Sequence, residues 1–239
     1  MCNIQWQDIG GISVAINDDH RFGTDAVLLE NFALSSPAKR VCDFGTGCGI
    51  IPLLICKRER KPQIFAVEIQ KDAADLLKTS VEKNKIENVR VICGDVKDKM
   101  LLHNEMTNGS LDLITCNPPY YKENSGVKSP NESRAVCREE NSLNIYEASE
   151  AAARLLKFGG RFCICHKPER LCDCIDAMRK NAIEPKRIRF VHKTEDDKPW
   201  LVLIEGKRGA APFLEVMPPL VINSEKGQEE IKSIYSGCE

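Results

Sequence analysis

The chain has 239 residues, 42% hydrophobic and 29% charged, which is the composition of a globular protein that buries a core. Its length suits one α/β domain with small additions, and its formal net charge of −1 at pH 7 excludes a uniformly basic, nonspecific nucleic-acid binder. No apolar run approaches the roughly 20 residues of a membrane-spanning helix, and no secretory signal opens the sequence, so we expect a cytoplasmic protein without a membrane partner.

In chain order, the first predicted elements are a small hairpin in residues 3–16 around Gly10-Gly11 and a strand over 40–44. A glycine-rich turn, Gly45-Thr46-Gly47-Cys48-Gly49, joins that strand to an apolar helix over 50–56. Further strands are predicted at 64–67, 89–93, 111–116, 161–165, 186–191 and 200–205, and further helices at 72–84, 143–157 and 169–181. We expect Gly159-Gly160 to end the helix over 143–157, residues 121–141 to form a long loop, and the charged tail from Asn223 to fray.

Strands that alternate with helices predict a Rossmann-like α/β fold, a mostly parallel sheet with helices on both faces. Ligands of such sheets bind at the carboxyl ends of the strands, near the point where the strand order reverses. We divide the chain into an N-terminal hairpin and lead-in helix packed on the core (residues 1–35), a main domain (36–222) and a C-terminal tail (223–239).

The glycine turn, together with acids after three successive strands, predicts an adenosine-type cofactor. Glycines at alternate positions let the backbone approach a ligand closely, and the helix that follows offers free N–H groups to a carboxylate. The spacing Gly-x-Gly-x-Gly is not the dinucleotide fingerprint Gly-x-Gly-x-x-Gly. Glu68, 25 residues after Asp43, can accept from both hydroxyls of a ribose, and Asp95 can accept from the amine of adenine. One such acid alone would favour a helix N-cap or a solvated turn residue instead.

Residues 43–50, Glu68 and Asp95 resemble the motifs of class I S-adenosylmethionine methyltransferases. The resemblance implies a seven-stranded sheet whose final strand, over 200–205, is antiparallel. It also implies S-adenosyl-L-methionine as the cofactor, S-adenosyl-L-homocysteine as the product, and no metal. The implied cofactor contacts are Asp43, Gly45, Thr46, Gly47, Gly49, Glu68, Ile69, Asp95, Val96 and Asn117.

The segment Asn117-Pro118-Pro119-Tyr120, directly after the predicted strand over 111–116, is the predicted reaction site. The side-chain carbonyl of Asn117 and the backbone carbonyl of Pro118 can both accept from an amino group, which favours a more tetrahedral, nucleophilic nitrogen. Tyr120 offers a flat face for a base removed from its own stack. Alignment would then supply much of the rate of in-line methyl transfer. Taken alone, the segment could be a stiff proline turn.

Asn-Pro-Pro-Tyr resembles the motif of methyltransferases that act on amide or exocyclic amino nitrogens. Enzymes that methylate glutamine in release factors typically carry an added N-terminal helical domain, and about 40 residues before the glycine turn are too few for one. DNA adenine enzymes usually carry a target-recognition domain, for which we see no room. The predicted target is adenine N6 in structured RNA, and the alternatives are protein glutamine N5-methylation and a non-catalytic RNA- or adenosine-binding module.

Residues 22–29 resemble the lead-in helix of a narrower group, the bacterial tRNA adenine-N6 methyltransferases that act on a valine tRNA beside the anticodon. Residues 206–210 and 218–220 resemble that group's ending, and 131–132 and 138–140 resemble its loop after the reaction motif. The resemblance implies that Thr24 and Asp25 lie against the methionine end of the cofactor, and that the partner is a tRNA.

Local basic clusters can neutralise phosphates even when the net charge is near zero. The predicted RNA contacts are Arg134, Arg138, Lys186, Arg187, Arg189, Lys193, Lys207 and Arg208. A solvated basic face is an equal alternative for each of these residues. We expect a monomer or a weak homodimer.

The sequence contains twelve cysteines, which we interpret as reduced structural thiols. Five occur in apolar, strand-like runs, where a thiol can serve as a small buried hydrophobe: Cys42, Cys93, Cys116, Cys163 and Cys165. The close pairs 163/165 and 172/174 have one residue between them, whereas zinc sites usually show Cys-x-x-Cys pairs, so we predict no metal site.

Overall fold

The structure is a computed structural model, and it describes residues 4–118 and 143–236. Its strands are β1 (Gln5–Ile9), β2 (Ile12–Ile16), β3 (Arg40–Phe44), β4 (Gln63–Glu68), β5 (Val89–Cys93), β6 (Leu111–Cys116), β7 (Leu156–His166), β8 (Ile183–His192), β9 (Leu201–Arg208), β10 (Glu215–Val216) and β11 (Leu220–Val221). Its helices are α1 (Thr24–Ala33), α2 (Ile50–Ile55), α3 (Lys71–Lys83), α4 (Lys99–Glu105), α5 (Ile145–Leu155), α6 (Leu171–Lys180) and α7 (Glu225–Ser236). A short 3-10 helix, Pro168–Arg170, precedes α6.

Within the part of the chain that the structure describes, the main sheet has the strand order β10-β8-β9-β7-β6-β3-β4-β5, and β11 also pairs with β8. Strands β5, β4, β3, β6 and β7 are parallel to one another, whereas β9 is antiparallel to both β7 and β8. The predicted Rossmann-like fold is confirmed, and β9 is the predicted antiparallel strand. The chain proceeds outwards from β3 to β5 and then returns to β6 on the other side, so the strand order reverses between β3 and β6.

Both faces of the sheet are buried. On one face, an apolar layer that includes Leu29 and Leu77 joins the sheet to the hairpin, α1, α2, α3 and α7. On the opposite face, a second apolar layer that includes Leu102 and Leu155 joins the sheet to α4, α5 and α6. Because both faces are covered, β3 and β4 are buried along almost their whole length. No helix within the described ranges is long and apolar enough to cross a membrane.

The predicted N-terminal hairpin is confirmed, with β1 and β2 paired antiparallel. Its two turn residues, Gly10 and Gly11, have φ values of +55° and +86°, which glycine adopts without steric cost. The Ala15 N–H donates to the Ser80 hydroxyl on α3 at 2.8 Å, so the hairpin is fixed to the main domain.

The prediction that Gly159-Gly160 ends a helix is wrong. Helix α5 ends at Leu155, and both glycines lie inside β7. The pairing of β6 with β7 shifts register between Leu111 and Leu113, and Gly159 has a φ of +77°. A Cβ on Gly160 would come within 2.9 Å of the Leu111 carbonyl oxygen. Gly159 therefore allows an irregularity in the strand, and Gly160 allows the backbone of β7 to approach a neighbouring carbonyl closely.

The prediction of a frayed tail is wrong for residues 225–236, which form α7. Ile234 is buried in the apolar layer with α1, and the Lys57 ammonium donates to the Tyr235 carbonyl oxygen at 3.1 Å. Ile231, Ile234 and Tyr235 fall at helical spacing, which gives α7 the apolar face that holds it.

The burial prediction for the five strand cysteines holds for four of them. Cys42, Cys116, Cys163 and Cys165 are buried, whereas Cys93 is exposed because it ends β5, the strand at the edge of the sheet. No three His, Cys, Asp or Glu side chains in the described residues are grouped to hold a metal ion.

Candidate active site

The carboxyl ends of β3, β4, β5 and β6 meet at one edge of the sheet, and the predicted site residues follow these ends. Phe44 is in register with Val67 on β4 and with Cys116 on β6. The glycine turn after β3 and Asn117 after β6 therefore begin side by side, at the point where the strand order reverses.

The glycine turn leaves open space beside its backbone. Gly45 and Gly47 have φ values of +62° and +57°, and a Cβ built on either would meet no atom within 4 Å. Gly49 differs, because its Cβ would come 2.1 Å from a methyl carbon of Leu77 on α3. The first two glycines thus fit close approach of a ligand to the backbone, whereas the third leaves room for the Leu77 side chain beside the start of α2.

Glu68 is buried and connects the turns after β3 and β4. Its Oε2 accepts from the Gly47 N–H and its Oε1 from the Gln70 N–H, both at 2.8 Å. Each carboxylate oxygen has a second lone pair, so Glu68 can still accept from hydroxyl groups. The sequence indicated Glu68 as a ribose acceptor but not its bonds to the two turns.

Asp43 is 1% exposed, and the Thr115 hydroxyl donates to its Oδ1 at 2.6 Å. Burial, together with the charge of Glu68, raises the pKa of Asp43 to about 7, against the lowering effects of the Thr115 and Thr46 hydroxyls. The Thr46 hydroxyl is buried near Asp43, yet it makes no hydrogen bond of good geometry to any described residue. This buried, unsatisfied hydroxyl and the open glycine turn fit a polar ligand at this position.

The predicted adenine acceptor, Asp95, lies two residues after β5. Its Oδ1 accepts from the Lys97 N–H at 2.8 Å, and the Lys97 ammonium lies 3.6 Å from its Oδ2. These contacts orient the carboxylate as part of a turn. Val96, the next residue, is buried, and Ile69, directly after β4, is 36% exposed at the same edge.

The amide of Asn117 is held at both ends. Its Nδ2 donates to Asp25 Oδ2 at 3.1 Å, and its Oδ1 accepts from the Cys165 thiol at 3.1 Å. Asp25 lies in the first turn of α1, next to the exposed Thr24, so α1 reaches the same edge of the sheet as the glycine turn. Pro118 is buried, and Pro119 and Tyr120 lie outside the described residues.

Comparison with known proteins agrees with this arrangement. The family model described as "Methyltransferase small domain" matches residues 18–169, which is more than half of the chain. The chain belongs to this methyltransferase family. It is an S-adenosylmethionine-dependent methyltransferase.

Two similar relatives are both named tRNA1(Val) (adenine(37)-N6)-methyltransferase. The one from Shewanella frigidimarina is 29% identical over 196 residues, covering 80% of this chain and 73% of its own. The one from Tolumonas auensis is 33% identical over 146 residues, covering 60% of this chain and 58% of its own.

Two solved structures share the fold. An Agrobacterium tumefaciens protein described as a "predicted O-methyltransferase" has a TM-score of 0.70 and 18% identity, covering 89% of this chain and 96% of its own. M. jannaschii TYW2, in complex with AdoMet, has a TM-score of 0.55 and 15% identity, covering 87% and 86%.

In the methyltransferase, two of the predicted RNA contacts lie away from the edge of the sheet that carries the site. Lys207 and Arg208 end β9, which is antiparallel, so they lie at the opposite edge of the sheet from Asn117. The Arg208 guanidinium also donates to the Leu156 carbonyl oxygen. Lys193 follows β8 at the same edge as Asn117 and is exposed. Arg134 and Arg138 lie outside the described residues.

The residues of β8 that were predicted to contact RNA instead bond to other residues of the methyltransferase. Arg187 donates to both carboxylate oxygens of Glu205, at 3.0 and 2.8 Å, and Arg189 pairs with Glu230 on α7 through two bonds. Both arginine side chains are only 19% exposed. The Lys186 ammonium donates to the Ala211 carbonyl oxygen at 3.1 Å. This placement argues against phosphate contacts by the two arginines and indicates a structural role.

We expect Arg187→Ala to destabilise the fold by about 2 kcal/mol, because Glu205 is buried and loses two charged hydrogen bonds. Arg161 still pairs with Glu205 at 3.1 Å, which keeps the loss below that of an isolated buried charge. Urea unfolding measures the effect, with Lys207→Ala as the exposed control. Unchanged stability, combined with weaker and salt-dependent RNA binding, would instead restore the phosphate role of Arg187.

Proposed function

We propose that this methyltransferase transfers a methyl group from S-adenosyl-L-methionine to N6 of an adenine in tRNA. The observation that carries the proposal is the Asn117 amide, fixed at both ends beside the open glycine turn. The names of the relatives favour tRNA adenine over protein glutamine and suggest the adenine beside the anticodon of a valine tRNA.

The chemistry of the target nitrogen explains why an amide carbonyl is needed. The lone pair of adenine N6 is delocalised into the ring, so this amine is a poor nucleophile. Asn117 Oδ1 and the Pro118 carbonyl oxygen accept its two hydrogens, which favours a tetrahedral nitrogen with a localised lone pair. Tyr120 stacks against the displaced base. S-adenosyl-L-methionine supplies a methyl group on a cationic sulfur, and alignment of the two reactants supplies much of the rate.

The residues of the site suit distinct parts of the cofactor. We propose that Glu68 accepts from the ribose hydroxyls and Asp95 from the adenine amine, with Ile69 and Val96 beside the adenine. Thr24 and Asp25 lie against the methionine end. The backbone of the glycine turn approaches the cofactor closely, because Gly45 and Gly47 carry no side chain.

For the RNA, we propose Lys193 together with Arg134 and Arg138 as phosphate contacts, because Lys193 is exposed at the edge that carries Asn117. We propose that the enzyme acts in the cytoplasm as a monomer or weak homodimer.

We expect the affinity for S-adenosyl-L-methionine to rise with pH up to about 7 and then to level, because the cationic cofactor favours ionised Asp43, whose pKa is raised to about 7. Below that value, each pH unit changes the affinity by up to about tenfold. The pH dependence of folding stability has the opposite sign to that of cofactor affinity. Stability of the free protein falls as pH rises from the ordinary Asp range towards 7, because the unfolded chain ionises first.

Calorimetric titration with S-adenosyl-L-methionine on both sides of pH 7 measures this dependence. Asp43→Asn, which has no carboxyl group to titrate, is the matched control and should show a flatter profile. Identical profiles for the two proteins would show that Asp43 is not the source of the pH dependence.

The proposed function is tested by incubating the enzyme with methyl-labelled S-adenosyl-L-methionine and total tRNA, total protein or DNA in separate reactions. Hydrolysis and chromatography then identify the labelled product. We expect N6-methyladenosine from tRNA, and we expect valine tRNA to be the best purified substrate. Label in N5-methylglutamine, or label in DNA alone, would overturn the proposal.

A further inference from the structure

Two contacts of the Asn117 amide come from different elements. Asp25 lies on α1, and Cys165 lies on β7, the strand beside β6. Cys165 is fully buried, and its sulfur lies 3.1 Å from Asn117 Oδ1, which is close for a sulfur donor. No sequence pattern distinguished this thiol from the other buried cysteines of the apolar strands.

Elementary chemistry decides which way this amide points. A carboxylate only accepts hydrogen bonds, so the amide must present its NH2 group to Asp25. Its oxygen must then face Cys165, and a carbonyl oxygen can only accept. The thiol is therefore the donor in this contact. A carbonyl oxygen has two lone pairs, so Oδ1 can accept from a second donor as well as from the thiol.

We propose that Cys165 is a positioning residue for methyl transfer. Its S–H bond and the Asp25 carboxylate together fix the plane of the Asn117 amide, so that the second lone pair of Oδ1 meets the target amine. This inference rests on the proposed function, which gives Oδ1 its role. In this role Cys165 acts through Asn117 and does not itself bind either reactant.

The competing explanation is that Cys165 only fills space, because it belongs to the apolar layer on the α1 face of the sheet. Three substitutions separate the two explanations. Cys165→Ala removes the donor and leaves a small gap, Cys165→Val removes the donor but fills the gap, and Cys165→Ser keeps a donor. Cys174→Ala is the matched control, because Cys174 is equally buried but lies on α6 in the opposite apolar layer.

We expect Cys165→Ala and Cys165→Val to lower kcat by about 3- to 10-fold, the effect of one neutral hydrogen bond. Their KM for tRNA and their affinity for S-adenosyl-L-homocysteine should stay unchanged. Cys165→Ser should recover most of kcat, and Cys174→Ala should match the wild type. Wild-type kcat in Cys165→Val, or a Cys165→Ser variant no faster than Cys165→Ala, would overturn the proposal.

A second measurement needs no substrate. The side-chain NH2 signals of Asn117 in a nitrogen-15 NMR spectrum report the environment of this amide. We expect Cys165→Ala and Cys165→Val to shift or broaden these signals and Cys174→Ala to leave them in place. Unmoved signals in all variants would contradict the contact itself. If wild-type enzyme fails to methylate adenine while the signals move, then the proposed function fails and the contact stands.

Discussion

Asn117→Ala is expected to lower the rate of methyl transfer by at least about 10²- to 10³-fold, the usual cost of removing one preorganised group that acts in the transition state. The substitution removes the carbonyl oxygen that accepts from the target amine. It leaves the glycine turn, Glu68 and Asp43 in place, so the affinity for the cofactor should change little. Single-turnover assays with labelled cofactor measure transfer, and calorimetry with S-adenosyl-L-homocysteine measures binding.

Asn88→Ala is the matched control for this prediction. Asn88 also makes a structural amide contact, donating to the Pro62 carbonyl oxygen at 2.7 Å, but it precedes β5 and so lies at the opposite edge of the sheet. Its loss should leave the rate of transfer near the wild-type value. If Asn117→Ala lost cofactor binding and thermal stability together with transfer, the residue would have a folding role instead.

The second large effect is expected for Glu68→Ala, which should weaken binding of S-adenosyl-L-homocysteine by about 100-fold. The substitution removes the proposed ribose acceptor and also frees the N–H groups of Gly47 and Gln70. Hydrogen bonds to a charged group contribute about 1.5–3 kcal/mol each, and about 1.4 kcal/mol corresponds to a tenfold change in affinity. Calorimetric titration gives the dissociation constant directly.

Glu68→Gln separates the two roles of Glu68, because an amide keeps one acceptor and replaces the other with a donor. We expect an intermediate loss of affinity. Glu184→Ala is the control, since Glu184 pairs with Arg179 near the start of β8, away from the site. Wild-type affinity in Glu68→Ala would remove this residue from the cofactor site.

The elements that the sequence predicts best are those whose pattern is local. A continuous apolar run identifies β4 because both faces of the sheet are covered, and paired glycines identify the hairpin turn. The misplaced end of α5 shows the limit of local patterns. A glycine pair is typical both of a helix end and of an irregular strand, and only the pairing of β7 with β6 decides between them.

Contacts between residues far apart in the sequence account for the other differences between the predictions and the structure. Lys186, Arg187 and Arg189 resemble a basic surface in the sequence, but the partners of the two arginines are 18 and 41 residues away. Cys165 and Thr115 look like ordinary strand residues, and their bonds to Asn117 and Asp43 span 48 and 72 residues. No periodicity reveals such pairs, because they depend on the order of strands in the sheet.

The bonds of Glu68 also bear on how a ligand enters the site. Its carboxylate already holds the N–H groups of Gly47 and Gln70, so the turns after β3 and β4 are joined in the free protein. A molecule that arrives there meets turns that are already bonded to each other, so little conformational entropy of these two turns is lost on association. Binding to these two turns therefore needs no folding step, and the rate of encounter with them can be set by diffusion and by charge.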